Sequence, residues 1–142
     1  MRTIEFRAKC LDGYFVYGDL HLLCDQPHIH TAESPYPFAG KRKFIDPDTI
    51  GQFTGLYDKN NVKIYEGDIV ECVSWNEYFS DGSGKPIEPF RRKMYVDFRK
   101  GGFKMIEPMP EPMKDNEWDI IFDGDIVILG NIYDNKELLT QK

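Results

Sequence analysis

The sequence contains no run of about 18 apolar residues, the length a membrane-crossing helix needs. Its opening, MRTIEFRAKCLDG, alternates charged and apolar residues where a secretory signal would carry an apolar core. A cytoplasmic protein without a membrane partner is therefore expected. Cysteine is scarce: Cys10, Cys24 and Cys72 are odd in number and far apart, which argues against a disulfide framework and for free thiols. No Gly-x-Ser-x-Gly elbow occurs, so the serine-hydrolase arrangement has no sequence support. The Gly-x-x-x-x-Gly-Lys-Ser/Thr phosphate loop is missing too. Apolar residues recurring at i, i+3, i+4 and i+7 over several turns are also missing, which excludes a helical core.

What is present is two-residue alternation. Ile4, Phe6 and Ala8 alternate with Glu5 and Arg7; Met94, Val96 and Phe98 alternate with Lys93, Tyr95, Asp97 and Arg99; Phe103 and Met105 flank Lys104. Between such runs stand Asp12-Gly13, Asp58-Lys59-Asn60-Asn61, Asp81-Gly82-Ser83-Gly84, Gly101-Gly102 and Asp123-Gly124. Glycine and asparagine supply positive φ and aspartate accepts from turn amides, so these sites reverse the chain. The only helical expectation is a short turn through Lys136, Glu137, Leu138 and Leu139, capped by Asp134 or Asn135. The composition, 41% hydrophobic and 14% aromatic against 30% charged, is that of a folded domain and not of a disordered chain. The fold class is mainly β.

Prolines divide the chain. Pro27, Pro35, Pro37 and Pro47 make 25–48 read as an ordered connector, giving an N-terminal β-ribbon lobe with its connector over 1–48 and a second domain over 49–142. Pro108, Pro110 and Pro112 make 106–118 read as an extended, solvent-facing and mobile segment of partial polyproline character. For the second domain we expect a small SH3-like barrel with strands near 52–57, 62–65, 69–75, 94–98 and 103–107, because a barrel removes open sheet edges.

Gly-Asp-Ile-Val occurs twice, at 67–70 and 124–127, but the flanks do not match at that offset, so a duplicated domain is excluded. Each copy reads as a turn leading into a strand, with Gly67 and Gly124 in the strained backbone position and Asp68 and Asp125 binding turn amides. The competing reading gives Glu66, Asp68, Asp123 and Asp125 a ligand, metal or paired-carboxylate role, the route to a metal-dependent enzyme. The glycine between Glu66 and Asp68 favours a turn. His21, Cys24, His28 and His30 have ligand types that suit zinc, but their spacing matches no established zinc module, and no metal or cofactor is expected.

The run TGLYDKNNVKIYEGDIVECV, Thr54 to Val73, resembles the hallmark segment T-G-L-x-D-x-N-G-x-x-I-Y-E-G-D-I-V of the YopX family. ILGNIYDNKELL, Ile128 to Leu139, resembles that family's closing segment I-G-N-I-Y-x-N-P-E-L-L, and IEFRAKCLDGYFVYG is similar to its opening. Asn61 stands where the family has glycine and Lys136 where it has proline; asparagine tolerates the left-handed conformation, and lysine suits an exposed site. The resemblance implies a protein encoded by a phage or prophage and working in the bacterial host, and it implies no enzymatic activity or ligand. A non-catalytic interaction or assembly module, with a phage or host protein as partner, is expected. The alternative is a nucleic-acid-binding barrel using Arg91, Arg92, Lys93, Arg99 and Lys100 with Tyr78, Phe79 and Phe90, which the net charge of −6 disfavours.

The stretch YFVYGDLHLL places Tyr14, Val16, Leu20 and Leu22 on one face of a strand and Phe15, Tyr17 and Leu23 on the other. One barrel covers one face; the other is to be covered either by the connector 25–48 folding back or by a second subunit, and a homo-oligomer is the expectation. Light scattering at micromolar concentration is to give a multiple of the chain mass; a monomer mass contradicts this.

Overall fold

The structure, a computed structural model, describes residues 2–23, 25–31, 42–74, 82–83, 90–120 and 124–140. It is mainly β, with antiparallel sheets and, among the described residues, only single-turn 3-10 helices at Pro47–Thr49 and Lys136–Leu139. The chain divides into two compact units, 1–56 and 57–142.

The first unit holds β1 (Phe6–Lys9), β2 (Phe15–Leu23), β3 (Gln26–His30), β4 (Arg42–Phe44) and most of β5 (Gly51–Tyr57), ordered β4-β3-β2-β1-β5. β1 and β2 form a hairpin in which Ala8 faces Val16, and the turn closes with Gly13 N donating to Cys10 O. Ala8, Cys10, Val16, Ile29 and Ile45 form its buried cluster, with Phe6, Leu20 and Ile50 packed against it. The alternation in β1 hides one surprise: Arg7, on the polar side of the pattern, is buried, its guanidinium 4.4 Å from the Phe15 ring centroid.

The segment 25–48 is not a strandless connector. β3 pairs with β2 from Gln26 to His30, and β4 pairs with β3 through Phe44 opposite His28. Proline does not prevent this, because Pro27 lies next to the first residue of β3, where a missing N–H is tolerated. Pro47 opens a 3-10 turn whose Asp46 side chain accepts from Asp48 N at 3.0 Å. Pro35 and Pro37 lie outside the described residues. The division between units falls after Leu56, beyond the proline-marked position 48, because Gly51 and Gln52 pair with Arg7 and Phe6 of β1.

The second unit holds β6 (Lys63–Tyr65), β7 (Asp68–Ser74), β8 (Phe90–Arg99), β9 (Gly102–Glu107), β10 (Asn116–Asp119) and β11 (Asp125–Asn131). Its sheet runs β10-β9-β8-β7-β11, antiparallel throughout. The order is linear, and no closed barrel is present among the described residues. β8 and β9 are joined by Lys100 at φ 55° and Gly101 at φ 79°, the positive pair that a two-residue hairpin matched to strand twist requires. The proline-rich stretch is the connection of a second hairpin. Met113 N donates to Pro110 O, and the chain then returns as β10, with Trp118 opposite Met105. Every residue of β10 is exposed, so it carries no buried face for sequence periodicity to register.

Ile64, Tyr65, Ile69, Val70, Cys72, Met94, Val96, Met105 and Ile106 are buried in this unit. Ile69 and Ile106 lie on the opposite side of the sheet from Val70, Met94 and Met105, so the central strands bury residues on both faces. The Cys72 thiol contacts the Met105 sulfur at 3.3 Å, and burial, then the neighbouring Glu71 charge, pushes its pKa up to about 12 from 9.0. The native state thus keeps this proton at pH values where the unfolded chain has lost it. The resulting stability is complete below pH 9 and is lost as pH rises toward 12, by up to about 1.4 kcal/mol per pH unit. Denaturant titrations at pH 8, 9.5 and 11 are to show this fall, and Cys72→Ala is to flatten it while lowering stability at pH 8.

Candidate functional site

The motif residues singled out in the sequence meet in the second unit, where they serve the backbone. The turn after β5 is organised by Asp58, which is 8% exposed. One carboxylate oxygen accepts from Asn60 N at 2.8 Å and Val62 N at 2.9 Å. The other accepts from Ile128 N, in β11, at 3.2 Å. Beside it, Lys59 N donates to Ile126 O at 2.8 Å. β11 is the last strand of its sheet, and the Asp58–Asn61 turn occupies backbone groups on its outer edge, one of the ways an edge strand is protected from pairing with another chain. Asn61 takes φ 64°, which asparagine accepts at modest cost.

A second turn, Tyr65-Glu66-Gly67-Asp68, links β6 to β7. The Asp68 side chain, 2% exposed, accepts from Tyr65 N at 2.8 Å. Gly67 has φ 87°, the value its turn position needs. Its N–H donates to Val96 O, and its carbonyl accepts from Ile132 N, both at 2.8 Å. A Cβ there would lie 3.0 Å from the Tyr133 ring. Tyr133 belongs to the closing motif, which is itself knotted: Asn131 Oδ1 accepts from Tyr133 N and Asp134 N, and Asn135 Oδ1 accepts from Asn131 N. Gly130 leaves room for Asn135, whose Oδ1 a Cβ at that position would overlap.

The two Gly-Asp-Ile-Val copies are therefore neighbours. β7 and β11 pair antiparallel, with Asp68 opposite Asn131, Val70 opposite Ile128 and Asp125 opposite Val73; a bulge at Leu129 shifts the register. The two aspartates stand at opposite ends of this ladder and cannot share a ligand. They also differ in setting: Asp68 is buried, whereas Asp125 is exposed and forms an ion pair with Lys59 at 3.4 Å. Gly124 is exposed with φ 155°. Asp123 lies outside the described residues.

The histidines cluster in the first unit. His21 and His28 are directly opposed in β2 and β3, their rings stacked 5.7 Å apart, and His30 meets His21 edge-on at 5.6 Å. Among the described residues no group of three or more His, Cys, Asp or Glu side chains is arranged to hold a metal ion, and Cys24 lies outside them.

The basic residues separate into two groups at the ends of β8, Arg91 and Arg99 being roughly 26 Å apart along the strand. Arg91 and Lys93 point to one face and Arg92 to the other. Most carry a carboxylate partner. Arg91 pairs with Glu71 at 2.7 Å and Arg92 with Glu107 at 3.3 Å. Arg99 bridges Asp97 at 2.9 Å and Glu117 at 3.2 Å, and Lys100 reaches Glu117 at 3.0 Å. Hydrogen bonds from Lys100 and Arg99 hold the Glu117 carboxyl below its usual range. Tyr78 and Phe79 lie outside the described residues, as does the Phe90 side chain.

One recess in this unit has the form of a binding site, a cleft of about 840 Å³. Arg91 and Lys93 reach it from one face of β8 and Arg92 from the other, Pro108, Met109 and Pro110 line it as well, and Leu139 from the C-terminal 3-10 turn adds apolar surface. Sequence reasoning found the basic half alone. The Pro-Met-Pro half reaches it through the β8–β9 register, which no local pattern announces.

These observations define a mainly β protein in which the motif aspartates hold strands together. The chain belongs to the YopX family: the family model described as YopX protein matches residues 6–140. Among solved structures, the crystal structure of protein EF1440 from Enterococcus faecalis is similar, at 22% sequence identity and a TM-score of 0.49, over 98% of this chain and 99% of that one. No curated protein matches.

Asp58→Ala is expected to cost about 2–4 kcal/mol by stranding amides that a carboxylate now serves, and Gly67→Val about 1–3 kcal/mol through backbone strain and the Tyr133 contact. Lys59→Ala, which removes only an exposed ion pair, is to stay within about 0.5 kcal/mol. Urea midpoints compare the three, and wild-type values for Asp58→Ala would deny the carboxylate its structural role.

Proposed function

We propose that this chain is a non-catalytic protein-interaction or assembly module, encoded by a phage or prophage and acting in the bacterial cytoplasm as a homo-oligomer. The observation that carries this reading is how the motif side chains with chemical potential are engaged. Asp58 and Asp68 accept hydrogen bonds from backbone amides, and Asp125 pairs with Lys59. A general base or metal ligand needs a free lone pair aimed at a reacting atom. The family membership supports the lineage, and the second unit is read as an SH3-like module in the finer sense, a curved sheet that presents a cleft. No helix among the described residues is long and apolar enough to cross a membrane.

The nucleic-acid reading draws less support. Its cations stand in two groups, four of the five are bound to carboxylates, and the protein carries a net charge of −6. The test is capture on the tagged chain from infected or lysogenic cells, with and without nuclease. A stoichiometric protein partner that survives nuclease supports the module; recovery that depends on nucleic acid refutes it.

A further inference from the structure

Resting on the reading of this chain as an interaction module, we infer that its cleft holds an extended, acidic segment of a partner protein, with a carboxylate at Lys93 and an apolar side chain against Met109 and Leu139. Two features of the cleft select that chemistry.

The first is charge. Arg91, Arg92 and Lys93 face it together with Glu71 and Glu107, a balance of three cations to two anions, or +1, in a chain whose net charge is −6. In each ion pair the anion is the more covered member. The Arg91 and Glu71 side chains are 55% and 21% exposed, and those of Arg92 and Glu107 are 49% and 19%. What the cleft presents to solvent is guanidinium. Lys93, half-buried and directly across the ladder from Glu71, has no ion-pair partner among the described residues. It is the cation left for an incoming carboxylate.

The second feature is the apolar half. Pro108 and Pro110 are exposed and fix the backbone around Met109, while the loop is held by Met109 N donating to the Asp115 carboxylate at 3.0 Å. A thioether between two prolines is an adaptable contact on a rigid support, suited to a side chain of unspecified shape.

The experiment uses the full chain and a fluorescein-labelled hexapeptide of alternating glutamate and leucine, followed by fluorescence anisotropy at 50 and 300 mM NaCl. A glutamine-leucine peptide and a labelled twelve-nucleotide thymidine strand serve as controls. Expected are saturable binding of the acidic peptide that weakens with salt, at least about tenfold weaker binding of the glutamine peptide, and a similar loss for Lys93→Gln. Lys93→Gln, which puts no second anion opposite Glu71, is to keep the wild-type thermal midpoint, and Met109→Asp is a second variant acting on the apolar lining without touching the ladder. Equal binding of acidic and neutral peptides, no binding of either, or unchanged affinity in both variants overturns the inference; if the protein partner is still captured, the module reading stands and its surface lies elsewhere. Displacement of the acidic peptide by the thymidine strand overturns both.

Discussion

The second unit depends on one carboxylate. Asp58 sits at the entrance to the unit and binds, with its two oxygens, a local turn and the backbone of a strand 70 residues further on. A buried aspartate is costly unless each lone pair finds a donor, and here the donors are amides that would themselves be unpaired without it. The solution is mutual: the turn completes the edge of β11, and β11 completes the solvation of the turn. With β11 fixed, β7 has its second neighbour, and the turn carrying Gly67 and Asp68 can present its carbonyl to Ile132.

The same economy explains why a motif-rich sequence is poor in free chemistry. In the first Gly-Asp-Ile-Val the glycine supplies a backbone angle, Asp68 satisfies the Tyr65 amide, and the two β-branched residues enter a central strand buried on both sides, while in the second copy Asp125 pairs with Lys59 and the strand lies at the sheet edge. The closing Gly-Asn-Ile-Tyr-Asp-Asn works alike. Asn131 ties the chain to Tyr133 and Asp134, Asn135 ties it back to Asn131, and Gly130 gives Asn135 its space. Side chains that could bind a ligand are concentrated instead at the end of β8, around Lys93.

Much of this was legible in the residues and some was not. Alternation of apolar and polar letters located β1, β8 and β9, although β1 and β9 each bury two consecutive residues, and the Gly-Asp-Ile-Val turn located β7; the Asp-Gly and Gly-Gly pairs marked hairpins because few residues tolerate positive φ. β10 escaped because all of its side chains are exposed, and β3 and β4 because proline was read as a breaker where it stands beside a strand start or outside the strands. The candidate cleft was half legible. Its cations are contiguous in sequence, but Met109 and Leu139 join them only through strand register and the packing of the last 3-10 turn. The reach of Asp58 to Ile128 is likewise invisible to any local window, although the aspartate itself stood out as a turn former.

That reach also orders events during synthesis. When a ribosome has delivered residues 57–120, four strands of the second sheet exist, yet β7 lacks its outer neighbour, Gly67 lacks Ile132, and Asp58 holds one empty oxygen. Closure waits for residues 124–135, so the unit completes only after nearly all of it has been translated. A nascent chain in that interval displays an open strand edge, and the span of vulnerability is the time needed to add roughly fifteen residues, about 1 to 3 seconds at elongation rates of about 5–20 residues per second. For such a chain, a premature stop within the last strand would do more than shorten the product: it would leave the whole second unit in its half-made, adhesive form.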